Sequence, residues 1–329
     1  MSCANMEEIV SLARRIAESP LYTGEMLFAE PLAPRTTMQV GGPAAALAVP
    51  ADGASAAYAA ACACRAGLPL FILGGGSNII VRDEGMDALV ISLERLDGIS
   101  YADGLLTAGA GARFDAITAF CASHCLKGLS SFAGLPGTAG GAAFMNARCY
   151  GVSAGDLIQS VSYVDLDGLS EEKRDFADFT LANFVKVYHN VQGTWAYKES
   201  PFQTFRSLIL DVTFCVEALA QDAAGERLIR TENEGYVADR QSRGHFRAPS
   251  AGSVFKNDRR FGKPSGQLID EAGLKGLAVG GAQIAPWHGN FIINTGSARA
   301  GDIRALVERA QAAVRERTGF VLEPEVIFV

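Results

Sequence analysis

Leu70-Phe71-Ile72-Leu73-Gly74-Gly75-Gly76-Ser77-Asn78-Ile79-Ile80-Val81 reads as an apolar strand, a glycine turn and a second apolar run. Glycine turns lack Cβ atoms and bare their backbone N–H groups, so a phosphate can come close. The dinucleotide pattern G-x-G-x-x-G opens a helix, whereas strand-like residues follow Asn78. A P-loop needs Gly-Lys-Ser/Thr after its glycines, and none is present. The unit can still cradle a pyrophosphate, with Ser77 and Asn78 adding side-chain hydrogen bonds. Taken alone, it can equally be a tight hairpin. A second glycine-rich stretch, Gly134-Leu135-Pro136-Gly137-Thr138-Ala139-Gly140-Gly141, begins 60 positions further on and leads into Asn146. Two such segments, each after a short apolar stretch, favour the cradle.

Outward from these segments the spacing predicts alternating helices and strands. Ile9, Leu12, Ala13 and Ile16 share one face of a helix over 7–18. A helix over 53–66 stops at Gly67, and one over 113–126, with Phe114, Ile117, Phe120 and Cys121 inward, stops at Gly128. Strands are expected at 70–73, 79–81, 90–93 and 205–216. The polar, Ala-rich segment 217–233 reads as a boundary. Beyond it a helix over 302–317 turns Ile303, Leu306, Val307, Ala310 and Val314 inward, Gly319 caps it, and a strand runs from Val321 to Val329. The class is α+β, in three parts: an N-terminal helix over 1–20, a region over 21–216 and a domain over 217–329.

Composition narrows the function. Lys+Arg is 29 and Asp+Glu is 36, giving a net charge of −7 with no basic run, a poor fit to a nucleic-acid backbone. No apolar run is long enough for a transmembrane helix, and the first residues lack a signal peptide's basic start and apolar centre. Cytoplasmic placement without membrane insertion is therefore expected. The seven cysteines (3, 62, 64, 121, 125, 149, 215) are an odd count without C-x-x-C spacing, and they read as buried reduced thiols. The four histidines form no H-x-x-x-H pair, so no metal is expected. Ser253 lies outside any G-x-S-x-G context, and by itself reads as a turn or capping serine.

As a set, the motifs resemble the UDP-N-acetylenolpyruvoylglucosamine reductase family. The matching stretches are Thr36–Gly42, Leu73–Asn78, Gly128–Asn146, Tyr150-Gly151, Tyr197–Phe202, Pro249–Asn257, Leu268–Gly276, Gly280–Asn294 and Leu322–Val326, in the family's order. They span about 20 to 329. The resemblance implies an FAD-binding domain of the vanillyl-alcohol-oxidase type over 21–216, then an α/β substrate-binding domain. The short interval from Tyr197 to Ser253 is similar to the compact subtype of the family.

By the same resemblance, NADPH supplies hydride through FAD to the enolpyruvyl group of a nucleotide sugar, yielding UDP-N-acetylmuramate for peptidoglycan synthesis. The implied cofactor-binding residues are Gly74, Gly75, Gly76, Ser77, Asn78, Gly134, Pro136, Gly137, Thr138, Gly140, Gly141 and Asn146. Ser253 matches the proton donor and Glu325 the catalytic glutamate. Lys198 takes the place of a usual arginine. Tyr197, Lys256, Asn257, Lys275 and Gln283 match positions near the substrate. Seen alone, Glu325 and the lysines would read as solvated surface charges.

Two departures are specific to this chain. Tyr197-Lys198 stands where the family usually has Tyr-Arg, and Asn146-Ala147-Arg148 where it has Asn-Ala-Gly. Lysine offers a point charge where arginine offers a planar fork. Either Arg148 supplies the guanidinium from another backbone position, or Lys198 suffices. Two rivals remain: a catalytically weak protein binding flavin and nucleotide sugar, and a related FAD oxidoreductase with another substrate.

Overall fold

The apolar run Leu70–Leu73 forms a short strand that pairs in parallel with Met86–Ser92, Leu70 opposite Leu89 and Leu73 opposite Ser92. Parallel strands tend to be buried and to read as apolar runs; Leu70–Leu73 is such a run, and its partner is apolar from Ala88 to Ile91. The computed structural model of the chain describes residues 3–171 and 183–329. Residues 1–2 of the expected N-terminal helix and 172–182 of the expected FAD-binding region lie outside the described residues.

The chain divides into two units. The first holds 1–30, 44–75 and 87–237. One four-stranded sheet runs in the order Gly24–Pro31, Pro43–Pro50, Met86–Ser92, Leu70–Leu73. A five-stranded sheet runs Val185–His189, Ile158–Asp165, Ser207–Cys215, Leu105–Gly109, Ile99–Ala102, with antiparallel neighbours throughout. The helix Gly53–Arg65 is buried continuously from Ser55 to Cys64. Apart from Ser55 and Tyr58, that buried stretch is alanine and cysteine, small enough for neighbours to close in on most sides. The helix Cys3–Ala17 buries Ile9, Leu12, Ala13 and Ile16 in the same core.

The second unit holds 31–43, 76–86 and 238–329. Its four-stranded antiparallel sheet runs Ser250–Ser253, Phe291–Asn294, Ala282–Ile284, Ala278–Val279. The helix Ala300–Thr318 packs on that sheet through Ile303, Leu306, Val307, Ala310 and Val314, all buried, and ends at Gly319 with φ +77°. Asp83 accepts the N–H groups of Ala300 and Gly301 at the helix start. The pair Ile79–Ile80 lies parallel to Ile327–Phe328.

Several expectations change. The boundary expected at 217–233 shifts: that segment holds the strand Glu217–Ala218 and part of the helix Ala223–Ser242, and the two units divide after Val237, within that helix. Two earlier segments belong to the C-terminal unit: Ile79–Ile80 finds its strand partner there, and Thr37 and Met38 bond to Ser250 and Asn294. The terminal strand is only Ile327–Phe328; Pro324 has no N–H to extend a ladder. The helix expected to stop at Gly128 ends at Ser123, and Cys125, φ +51°, takes the left-handed position instead. Cys62, Cys64, Cys121, Cys125 and Cys149 are buried, but Cys215 is exposed. Burial pushes the Cys62 thiol up to about 11 and that of Cys121 to about 12. No described helix is long and apolar enough to cross a membrane.

His245 packs edge-on to Phe291 at 4.8 Å in the second unit. Burial first, then the charges of Arg240, His288 and Arg243, push its pKa down from 6.5 to about 4. The folded state therefore favours neutral imidazole. Its contribution is fully present above pH 6.5 and is lost as pH falls through about 4. The urea midpoint of the His245→Gln variant is expected to fall less between pH 7 and pH 4 than that of the parent chain. An unchanged slope would remove His245 from the acid response.

Candidate functional site

The two glycine-rich segments meet in the first unit. A Cβ on Gly74 would stand 3.0 Å from Thr138 Oγ1, and one on Gly75 would stand 3.2 Å from the Gly137 Cα. Only side-chain-free backbone lets segments 60 positions apart close this far. Thr138 is buried and caps the short helix Ala139–Met145, its hydroxyl accepting the Gly141 N–H. Gly140 donates to the Ala110 carbonyl at 2.9 Å, where a Cβ would come within 2.8 Å of the Ala110 Cβ. The Gly137 carbonyl accepts from Phe114, and Gly134 turns the chain with φ +71° just before Pro136. Ser130, in the turn leading into this stretch, keeps its hydroxyl buried with no hydrogen-bond partner among the described residues. An orphaned buried hydroxyl in the turn that leads into closely packed bare backbone fits a flavin dinucleotide, which presents many hydrogen-bond acceptors. Ser130 was not singled out from sequence; a serine in a glycine-flanked turn is too common a signal.

Asn146 ends that helix with φ +42°, 2% exposed. Its Oδ1 accepts the Gly155 N–H at 2.9 Å and its Nδ2 donates to the Ala196 carbonyl at 2.6 Å. Both ends of the amide thus hold backbone, and one of them holds the turn that carries Tyr197 and Lys198. In that turn Ala196 and Glu199 exchange both backbone hydrogen bonds, and Lys198 takes φ +61°. A lysine in the left-handed region costs on the order of 1–3 kcal/mol, and such strain concentrates at functional sites. Tyr197 is exposed and Lys198 half-buried.

Arg148 opens a hairpin, Arg148–Cys149 against Val152–Ser153, turned by Tyr150 and Gly151 at φ +50° and +89°. Positive φ at both central residues marks a primed turn. The Arg148 side chain is exposed, with one long bond of 3.4 Å to the Ser153 hydroxyl. The Asn146–Ala196 bond therefore fastens together backbone two positions before Arg148 and two before Lys198.

In the second unit, Gly76 (φ +60°) leaves no room for a side chain: a Cβ would lie 2.3 Å from the Arg35 carbonyl oxygen. Ser77 is half-buried. Asn78 donates from Nδ2 to the Glu325 carbonyl at 3.0 Å and accepts the Ile327 N–H at its own carbonyl. Ser253 ends its strand opposite Phe291, and the Glu325 N–H donates to the carbonyl of the next residue, Val254, at 2.7 Å. Residues far apart in sequence thus bring Ser253, Glu325 and Asn78 into one neighbourhood. Lys256 joins it through an ion pair to Glu323 at 2.6 Å. Asn257 accepts the Ser265 N–H. Gln283 donates to the Gly276 carbonyl, beside Lys275, whose ammonium pairs with Asp270 at 2.6 Å. No cluster of metal-ligating side chains occurs among the described residues.

Two family models match the chain. One is described as the UDP-N-acetylenolpyruvoylglucosamine reductase C-terminal domain, over 244–329, and the other as an FAD binding domain, over 44–172. A UDP-N-acetylenolpyruvoylglucosamine reductase of Treponema denticola is 43% identical over 325 residues, covering 94% of this chain and 95% of that protein. Its counterpart in Treponema pallidum is 42% identical, covering 91% of this chain and 92% of that one. Among solved structures, a reductase of the same name from Thermus caldophilus aligns with TM-score 0.69 at 30% identity, over 93% of this chain and 99% of that one.

Proposed function

Because the chain belongs to the UDP-N-acetylenolpyruvoylglucosamine reductase family and is an FAD-dependent oxidoreductase, we propose that it reduces the enolpyruvyl group of UDP-N-acetylglucosamine enolpyruvate. NADPH is the hydride source, and the product serves peptidoglycan synthesis. The observation that carries this reading is the junction of Ser253 and Glu325 through the Val254 carbonyl. Once bound, FAD would supply hydride to the enolpyruvyl methylene carbon. The residues we assign to holding it are Gly74, Gly75, Gly76, Ser77, Asn78, Gly134, Pro136, Gly137, Thr138, Gly140, Gly141 and Asn146. Nucleotide sugar and NADPH are highly charged and do not cross a bilayer, so the enzyme works in the cytoplasm, with no nucleic-acid partner.

This chain's residues then have three tasks. Negative charge develops on the substrate carboxylate, and the task assigned to Lys198 is to meet it. A proton must reach the neighbouring carbon, and Ser253 Oγ delivers it; a hydroxyl is a weak acid, but the carbanion-like acceptor is strongly basic. Glu325 is assigned to assist that delivery. Lys256 and Lys275, with Tyr197, Asn257 and Gln283, receive the nucleotide sugar. Each of the two lysines now holds a carboxylate that a diphosphate would displace. The test is direct. The purified protein should be yellow, release FAD and not FMN on denaturation, bleach with NADPH and regain colour with the enolpyruvyl sugar. Bleaching without return of colour would favour a binding protein or another substrate.

Arg148 and Lys198 can share one task, since Asn146 ties their backbones together. Losing one partner of a charge-assisted pair costs about 2–5 kcal/mol. Arg148→Gly is therefore expected to slow the substrate step at least ~10-fold, and adding Lys198→Arg to restore much of it. The pair should be non-additive, because a single planar fork is required. A neutral Arg148→Gly would assign the charge to Lys198 alone.

A further inference from the structure

Ser253 sits where its strand is least regular. Ser250 pairs with Ile293 but Ser253 with Phe291, so three steps on one strand meet two on the other. Gly252 absorbs the extra residue with φ +72°. A bulge of this kind breaks the ladder and re-aims the side chain beside it. The ladder alone therefore does not hold Ser253.

Asn290, 3% exposed, holds the chain immediately after it. Its Oδ1 accepts the Phe255 N–H at 2.9 Å, and its Nδ2 donates to the Phe255 carbonyl at 2.8 Å. Its own carbonyl accepts the Val254 N–H at 2.9 Å. Its N–H is in turn directed at His288 Nδ1, 3.2 Å away. Val254 is thus gripped on its N–H by Asn290 and on its carbonyl by the Glu325 N–H. A loop residue outside both the Ser253 and the Glu325 segments thus holds Val254 and Phe255, and Val254 in turn holds Glu325.

We infer that Asn290 is a positioning residue for proton delivery, clamping residues 254–255 so that Ser253 and Glu325 keep their geometry across the bulge. The inference rests on Ser253 being the proton donor. Misplacement of a reacting group by about 1 Å can cost ~10²-fold.

The test uses the full-length protein loaded with FAD. The flavin is reduced with dithionite without excess and mixed anaerobically with UDP-N-acetylglucosamine enolpyruvate. Asn290→Ala is expected to regain the full flavin absorbance with a rate constant lowered ~10–10²-fold. In the same variant the Phe255 amide should exchange with solvent faster. Asn294→Ala is the control. It removes comparable buried bonds, to the Met38 and Gln39 carbonyls, in the same unit. It should lower thermal stability while leaving that rate constant and the Phe255 amide as they were. If Asn290→Ala does not fold, Asn290→Asp keeps the acceptor for the Phe255 N–H, loses the donor and should still slow the step. An unchanged rate constant in the Asn290 variants, or equal slowing in Asn294→Ala, overturns the inference. A wild-type rate in Ser253→Ala would instead overturn the assignment on which it rests.

Discussion

Ser253→Ala is expected to bind FAD and accept hydride from NADPH at the rate of the parent chain, and, if the proposed function holds, to pass it on to the enolpyruvyl sugar ~10²–10⁴-fold more slowly, the usual worth of a positioned general acid. The separation follows from what the hydroxyl does. In its proposed role it is called on only when charge has built up on substrate carbon, so the reductive half-reaction should not meet it. Its neighbours Val254 and Phe255 are buried, and their backbone groups bond to Asn290 and Glu325 without the serine hydroxyl. Removing that hydroxyl should therefore leave the local fold standing. Stopped-flow absorbance of each half-reaction decides the matter. Equal slowing of both would make Ser253 a structural residue.

Gly75→Val should yield protein that has lost most of its flavin. The valine Cβ would be forced to within 3.2 Å of the Gly137 Cα and 3.4 Å of Thr138 Cγ2, with its two methyls reaching further still. Both neighbours are buried, and one is backbone, so neither can swing aside. Overpacking of this kind costs about 1–3 kcal/mol. Spent on prising the two glycine segments apart, that lowers FAD affinity by up to ~10²-fold. The ratio of flavin to protein absorbance after dialysis reports it. Full occupancy would show that these segments do not need to stay closed to hold the cofactor.

Local physics was readable from the chain wherever one element's own pattern determines it. The inward face of the helix Ala300–Thr318 follows from its period, Gly319 from the left-handed cap it must adopt, and Leu70–Leu73 from an apolar run too short for a helix. The two glycine segments were readable as bare backbone, but their mutual contact was not, because Gly75 and Gly137 carry no side chain whose complementarity could betray it. Cys125 took a cap position assigned to Gly128, since tertiary packing outweighed the modest cost of a left-handed cysteine. Asn290 was invisible for another reason. A buried asparagine that serves distant backbone looks, in sequence, like any turn residue.

The pairing of Ile79 with Ile327 has a consequence in time. A ribosome that has just made Ile79 must add 248 more residues before the strand's partner exists. At ~5–20 residues per second that is a wait on the order of 10–50 s. Throughout it, the Ile79–Ile80 segment and the apolar Met38, Val40 and Ile80 have no C-terminal core to enter. The nascent chain thus carries an unsatisfied sticky stretch for most of its synthesis. Holdase chaperones should engage the nascent chain there, and overproduction in cells short of them should deposit it as aggregate.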